Sequence, residues 1–133
     1  MTEHPTGDLA LRAIAMPADA NPHGDIFGGW LLSQMDLAGS TVATRRARGR
    51  IVTVAIAQMT FKRPVFVGDE VTCYAHIVKT GRTSISVEVE SWARRSVGGE
   101  EVKVTEGLFT YVAVGPDRKP RALPPDGAET LNA

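Results

Sequence analysis

The sequence predicts an α+β domain in which one long helix packs on a five-stranded antiparallel sheet. Three observations carry that prediction. Residues 28–47 show a helical period, the period changes to two after Gly49, and the connections are short and marked by turn residues. The chain has 133 residues, the size of a single domain.

The elements follow in chain order. Leu9 to Ala15 is a weak strand ahead of the helix. From Gly28 to about Ala47, Leu31, Met35, Ala38 and Val42 recur at spacings of four, three and four, which lines up one apolar helix face. Gly39 lies one position off that stripe and costs helix propensity, so a close approach of another backbone is expected there. Arg45, Arg46 and Arg48 place cations where the helix dipole favours them, and Gly49 follows as a stop. Ile51 to Phe61, rich in Val, Ile and Thr, reads as a buried strand. Val71, Cys73, Ala75 and Ile77 alternate with more polar neighbours, as do Ile85, Val87 and Val89. Val102, Val104, Leu108, Thr110, Val112 and Val114 form one side of a last long strand. Pro64 with Gly68-Asp69, then Gly81, then Gly98-Gly99 supply the turns, and such short connections favour antiparallel neighbours.

Composition excludes several classes. Fifteen Lys and Arg balance fifteen Asp and Glu, giving a formal net charge of zero, so a nucleic-acid-coating protein is not expected. No apolar run approaches the length of a membrane span. Met1-Thr2-Glu3-His4-Pro5 lacks the basic start and apolar centre of a signal peptide, and a cytoplasmic protein is the expectation. Cys73 is the only cysteine, so no internal disulfide or multi-cysteine zinc site is possible. His4 and His76 lack partners at ligand-like spacing, and no metal is assigned. Residues 1–7 form a flexible N-terminus, residues 8–115 a single domain, and residues 116–133 a Pro-rich tail holding four of the eight prolines. One helix covers only one sheet face, and the strand around Val54 to Ala57 is apolar on both sides. Self-association is therefore expected.

The segment carrying chemistry is Asn21-Pro22-His23-Gly24-Asp25-Ile26-Phe27-Gly28-Gly29-Trp30, which leads into the helix. The first amides of a helix have no backbone partner, and at Gly28 and Gly29 no side chain shields them. Such a terminus can bind an anion or stabilise a developing oxyanion. Asp25 stands just before it, and a carboxylate beside carbonyl-polarising amides suits acyl transfer, either by direct attack or by deprotonating water. The bland alternatives are that Asp25 is a helix N-cap, that Asn21 is a turn residue, and that His23 is merely exposed.

This segment, followed by Leu31-Leu32-Ser33-Gln34-Met35-Asp36, resembles the helix start of hotdog-fold acyl-CoA thioesterases, and most closely the YciA-type branch related to cytosolic brain-type acyl-CoA hydrolases. Thr60-Phe61-Lys62-Arg63-Pro64-Val65, Val67-Gly68-Asp69, Gly81-Arg82-Thr83-Ser84 and Phe109 to Val114 agree, in the right order. The resemblance covers roughly residues 8–124. It implies a hotdog fold, with the central helix wrapped by the five-stranded sheet, and an active site at a dimer interface. It also implies that Asp25 is the catalytic carboxylate, that the Gly28 amide polarises the thioester carbonyl beside Gly29, and that Asn21 orders the loop or positions water. Phe27 stands where some other branches carry His, so their second oxyanion contact is not expected here. Asp36 is the rival carboxylate. About 12 Å of helix separate it from Gly28, so it reaches that amide only from a partner chain.

No Asp or Glu occurs between Asp36 and Asp69, whereas that interval holds Arg45, Arg46, Arg48, Arg50, Lys62 and Arg63. Such a zone suits the phosphates of coenzyme A. Lys62, Arg63, Arg82, Thr83, Ser84 and Gly29 are the candidate substrate contacts. The resulting expectation is an acyl-CoA thioester hydrolase that needs no cofactor, coenzyme A being part of substrate and product, assembled as dimers and as a trimer of dimers. A non-catalytic acyl-CoA-binding module and an enoyl-CoA hydratase are the alternatives.

Overall fold

The computed structural model describes residues 3–95 and 97–126; the expectations for Met1, Thr2 and the tail beyond Asp126 lie outside the described residues. Strand β1 (Asp8–Ile14) leads through a short 3-10 turn (Pro17–Asp19) to helix α1 (Gly28–Ala47). Then come β2 (Ile51–Phe61), β3 (Glu70–Thr80), β4 (Ser84–Arg94) and β5 (Val102–Ala113). All strand pairs are antiparallel, and the sheet order is β1-β3-β4-β5-β2. One long helix on this five-stranded sheet is the hotdog arrangement.

Helix α1 buries Leu31, Met35 and Ala38, with Gly39, Ala43 and Ala47 completing the stripe toward its C-terminus. They pack on Val71, Cys73 and Ala75 of β3, Ile85, Val87 and Val89 of β4, and Phe109 and Tyr111 of β5. Those residues alternate along their strands, so the inner face of the sheet is apolar throughout.

Four local expectations are corrected. The strand after α1 does not pair with the next one: β2 lies at the far edge beside β5. The reason is residues 62–69, which make no hairpin. The Lys62 and Arg63 amides both donate to Val104 O, and Val65 O accepts from Ile26 N. Nor is β2 buried within the chain. Val52, Val54 and Ile56 are exposed, because the helix lies nearer the middle of the sheet. At Gly39 it is the phenol of Tyr111, not a backbone, that comes close; a Cβ there would overlap the hydroxyl and lie 3.1 Å from Cζ. At the end of α1, Arg48 rather than Gly49 takes the left-handed conformation, at φ 55° and ψ 41°. Gly49 instead leaves room for Arg121, whose Nη2 would be 2.8 Å from a Cβ there and which donates to Ala47 O.

Residues 116–126 run back over the domain. Arg121 N donates to Ala113 O, Leu123 N to Arg82 O, and Arg46 Nη1 to Pro124 O, while Leu123 packs against the core. No helix of the described residues is long and apolar enough to cross a membrane.

Candidate active site

The loop ahead of α1 is built around Asn21. Its side-chain oxygen accepts from His23 N at 2.9 Å and Asp25 N at 3.1 Å, while its own N–H donates to Asp25 O at 2.7 Å. Asn therefore serves here as an Asx-turn residue that fixes the loop. Gly24, at φ +91°, supplies the left-handed position that closes it. The strip that follows is pinned from both sides: Ile26 N donates to Val65 O at 2.8 Å, Phe27 N to Asp19 O at 3.0 Å, and Asp25 bridges Phe66.

The helix N-cap is Phe27, at φ −59° and ψ 137°, with no side-chain cap. Asp25 is thus not an N-cap; it lies two residues too early. The Phe27 carbonyl accepts from Trp30 N and Leu31 N, whereas the Gly28 and Gly29 amides have no acceptor among the described residues. Gly28 opens onto a cavity of about 300 Å³ lined by Ile26, Leu31, Phe61, Lys62, Arg63, Pro64 and Val65. Phe61 stands beside it, its Cε1 3.4 Å from where a Gly28 Cβ would be. The structure therefore brings together Gly28, Lys62 and Arg63. Asp25 and Gly29 do not line that cavity.

The two candidate carboxylates differ in their surroundings. Asp25 is half-buried, and its carboxylate has no hydrogen-bond partner among the described residues. Asp36, one side of α1 away from the core stripe, is held. Its Oδ1 accepts from Thr53 Oγ1 of β2 at 2.9 Å and lies 3.0 Å from the Tyr111 hydroxyl, which is also 3.0 Å from Asp36 O. Asp36 Oδ2 bonds to nothing among the described residues. Burial, and then the negative charge of Asp36, push the Tyr111 phenol well above its usual range, so it remains a proton donor. Thr53 and Tyr111 escaped the sequence reading. The one available signal was Gly39, whose missing side chain makes room for that phenol.

The cationic candidates are partly committed. Lys62 Nζ is 2.9 Å from Glu106 Oε1, and Arg63 Nη1 donates to Lys103 O at 2.6 Å. Arg82 carries a side chain without a partner among the described residues. Its hairpin, closed by Gly81 N donating to Ser84 O, is at the opposite end of the sheet from the cavity. Ser84 pairs with Val112, whereas Phe61 pairs with Thr105, a separation of roughly 24 Å along β5 at about 3.4 Å per residue. Within one chain, Arg82, Thr83 and Ser84 do not meet Gly28. Among the described residues no group of three or more His, Cys, Asp or Glu side chains is placed to hold a metal ion.

Residues 23–99 match the model of the thioesterase superfamily. The chain is 55% identical over 130 residues to the acyl-CoA thioester hydrolase YciA of Salmonella typhimurium, covering 96% of this chain and 98% of that protein. Two solved structures are similar throughout. A hexameric thioesterase from Yersinia pestis is 52% identical with a TM-score of 0.88, covering 92% of this chain and all of that one. A hexameric broad-specificity acyl-coenzyme A thioesterase is 44% identical with a TM-score of 0.89, covering 98% of this chain and 90% of the other.

Proposed function

The chain belongs to the thioesterase superfamily, and on that premise we infer how its site carries out hydrolysis. It is an acyl-CoA thioester hydrolase: thioester and water give free coenzyme A and a carboxylic acid. The observation that carries the mechanism is the Gly28 amide, which has no acceptor among the described residues and opens onto a cavity lined by apolar side chains together with Lys62 and Arg63. That amide donates to the thioester carbonyl oxygen and stabilises the oxyanion as the tetrahedral intermediate forms. A carboxylate deprotonates the water as it attacks, and the intermediate collapses with cleavage of the C–S bond, the proton passing to the departing thiolate of coenzyme A. If the carboxylate itself attacks, thiolate loss leaves a mixed anhydride that water then hydrolyses to the acid and the free carboxylate. Both tasks fall to protein groups, so the reaction as proposed needs no metal or other cofactor.

Geometry favours Asp36 of a second copy as that carboxylate, over the Asp25 that the sequence reading ranked first. Asp36 sits on a rigid helix, two hydroxyls orient its Oδ1, and its Oδ2 is left to act on water. It also lies beside the exposed edge of the sheet. Leu37, Val52, Val54 and Ile56 are all exposed there, and a second copy would cover them. Asp25 remains the second reading, because its carboxylate, three residues ahead of Gly28, has no partner among the described residues.

Dimerisation across this edge, and a trimer of such dimers, complete the proposal; hexameric relatives support it. Such an assembly lets the Arg82-Thr83-Ser84 hairpin of another copy join Lys62 and Arg63 at the coenzyme A phosphates. A cytoplasmic setting goes with this reading, in keeping with a buried lone thiol at Cys73.

The test is steady-state hydrolysis of an acyl-CoA panel by Asp36→Asn and Asp25→Asn, with thermal melting of each. Asparagine keeps the oxygen that accepts from Thr53 and Tyr111. Asp36→Asn is expected to melt like the wild type and to lose about a hundredfold or more in kcat. Loss in Asp25→Asn alone would move the role to Asp25.

A further inference from the structure

The loop between β2 and β3 reaches the catalytic turn, and one side chain far along the sequence holds that loop at three points. Arg95, just past the end of β4, donates from Nη2 to Pro64 O at 2.7 Å. Its Nε lies 3.3 Å from Asp69 Oδ2, and its guanidinium carbon sits 4.7 Å from the centre of the Phe66 ring. Asp69 is only 3% exposed, and the same Oδ2 accepts from Phe66 N at 2.9 Å. The loop is tied to the end of β1 as well, by Ala15 N donating to Asp69 O and Gly68 N to Ala15 O.

What this loop carries on its other side is the strip that starts α1. Val65 O accepts from Ile26 N at 2.8 Å, and Phe66 bridges Asp25. Pro64 and Val65 also form part of the wall of the cavity onto which Gly28 opens. Only Phe27 separates Ile26 from Gly28. A shift of residues 64–66 therefore moves the oxyanion-binding amide relative to the cavity.

We propose that Arg95 is a positioning residue for hydrolysis: by clamping Pro64, Phe66 and Asp69 it fixes where the Gly28 amide points. This rests on the reading of Gly28 as the oxyanion donor. Arginine suits the task and lysine does not, because a planar fork can bond a carbonyl and a carboxylate while lying against a ring. An ammonium keeps the charge but cannot make all three contacts at once.

The experiment measures kcat and KM for one acyl-CoA at 25 °C in Arg95→Ala, Arg95→Lys and Phe66→Leu, with melting curves for each. Arg94→Ala is the control; Arg94 bonds Gly99 O and pairs with Glu70 at the start of β3, and it has no hydrogen bond or ion pair to Pro64, Phe66 or Asp69 among the described residues. Because small misplacements of a reacting group are costly, kcat in Arg95→Ala is expected to fall about ten- to a hundredfold, with KM changed less than about threefold. Arg95→Lys should recover part of the loss, and Arg94→Ala should stay close to wild type. A folded Arg95→Ala enzyme with kcat within about threefold of wild type overturns the proposal. So does a rise in KM alone, which would mean that Arg95 touches the substrate. If Arg95→Ala does not fold, Phe66→Leu, which removes only the stacking contact, decides: a fall in kcat at constant KM supports the clamp, and an unchanged kcat overturns it. Failure of the underlying reading looks different, since removal of the Gly28 N–H would then leave hydrolysis intact in the wild-type background.

Discussion

Replacing Gly28 by proline removes the N–H on which the proposed mechanism depends. Gly28 is the first residue of α1, where proline is well tolerated because the missing N–H has no intrahelical partner. The residue before a proline must be extended, and Phe27 already is, at ψ 137°. A Cβ at Gly28 meets only Phe61, with Cε1 at 3.4 Å and Cζ at 3.6 Å. Exchanging glycine for proline at a compatible site stabilises by about 0.4–1 kcal/mol through the unfolded chain. In a domain of this size that corresponds to a rise in melting temperature of roughly 1–4 °C. Loss of one oxyanion donor, in contrast, typically lowers kcat by about 10²–10³, or about 2.7–4 kcal/mol of transition-state stabilisation. The assay is steady-state release of coenzyme A, followed by a thiol reagent, beside a melting curve. The signature is a slower enzyme that is no less stable. A variant that melts at or above the wild-type temperature and keeps kcat within about fivefold would refute the role of this amide.

Two further outcomes follow from the packing and the charges. Gly39→Ala gains about 1 kcal/mol of helix propensity but drives a methyl group into the Tyr111 phenol. Overpacking costs about 1–3 kcal/mol, and the hydrogen bond to Asp36 is lost with it. Denaturant unfolding should show net destabilisation; a more stable variant would mean that the phenol moves without cost. The hydrogen bond from Lys62, reinforced by Lys103, holds the Glu106 carboxyl below its usual range although partial burial opposes it. A carboxylate with a depressed folded pKa contributes stability above its unfolded pKa, and that contribution is lost as pH falls through the lower folded value. Urea midpoints measured from pH 6 to pH 3 should therefore fall less steeply in Glu106→Gln than in wild type, and parallel curves would count against the pairing.

Much of this protein was legible in the sequence because local rules decide it. The apolar spacing of Leu31, Met35 and Ala38 set the helix from Gly28 to Ala47, and alternation after Gly49 set the strands, since side-chain periodicity reports directly which face is buried. The polar, Gly-rich run ahead of the helix pointed to the candidate site, because unpaired amides at a helix start need no tertiary contact to exist. The sequence could not show which strand β2 joins. Its apolar residues suit either a core or a partner, and the choice depends on where residues 62–69 find acceptors. It ranked Asp25 ahead of Asp36 without the contacts that orient either carboxylate. A carboxylate's usefulness depends on what orients it, and Thr53 and Tyr111 are 17 and 75 residues from Asp36 in the chain. Arg95 was invisible for the same reason: its three contacts lie 26–31 residues earlier and exist only once β4 has paired with β3. The sequence by itself thus determined the elements and the chemistry on offer, both properties of neighbouring residues. Tertiary structure alone decided which groups face one another, because contacts between distant residues are fixed by the packing of the sheet and the helix.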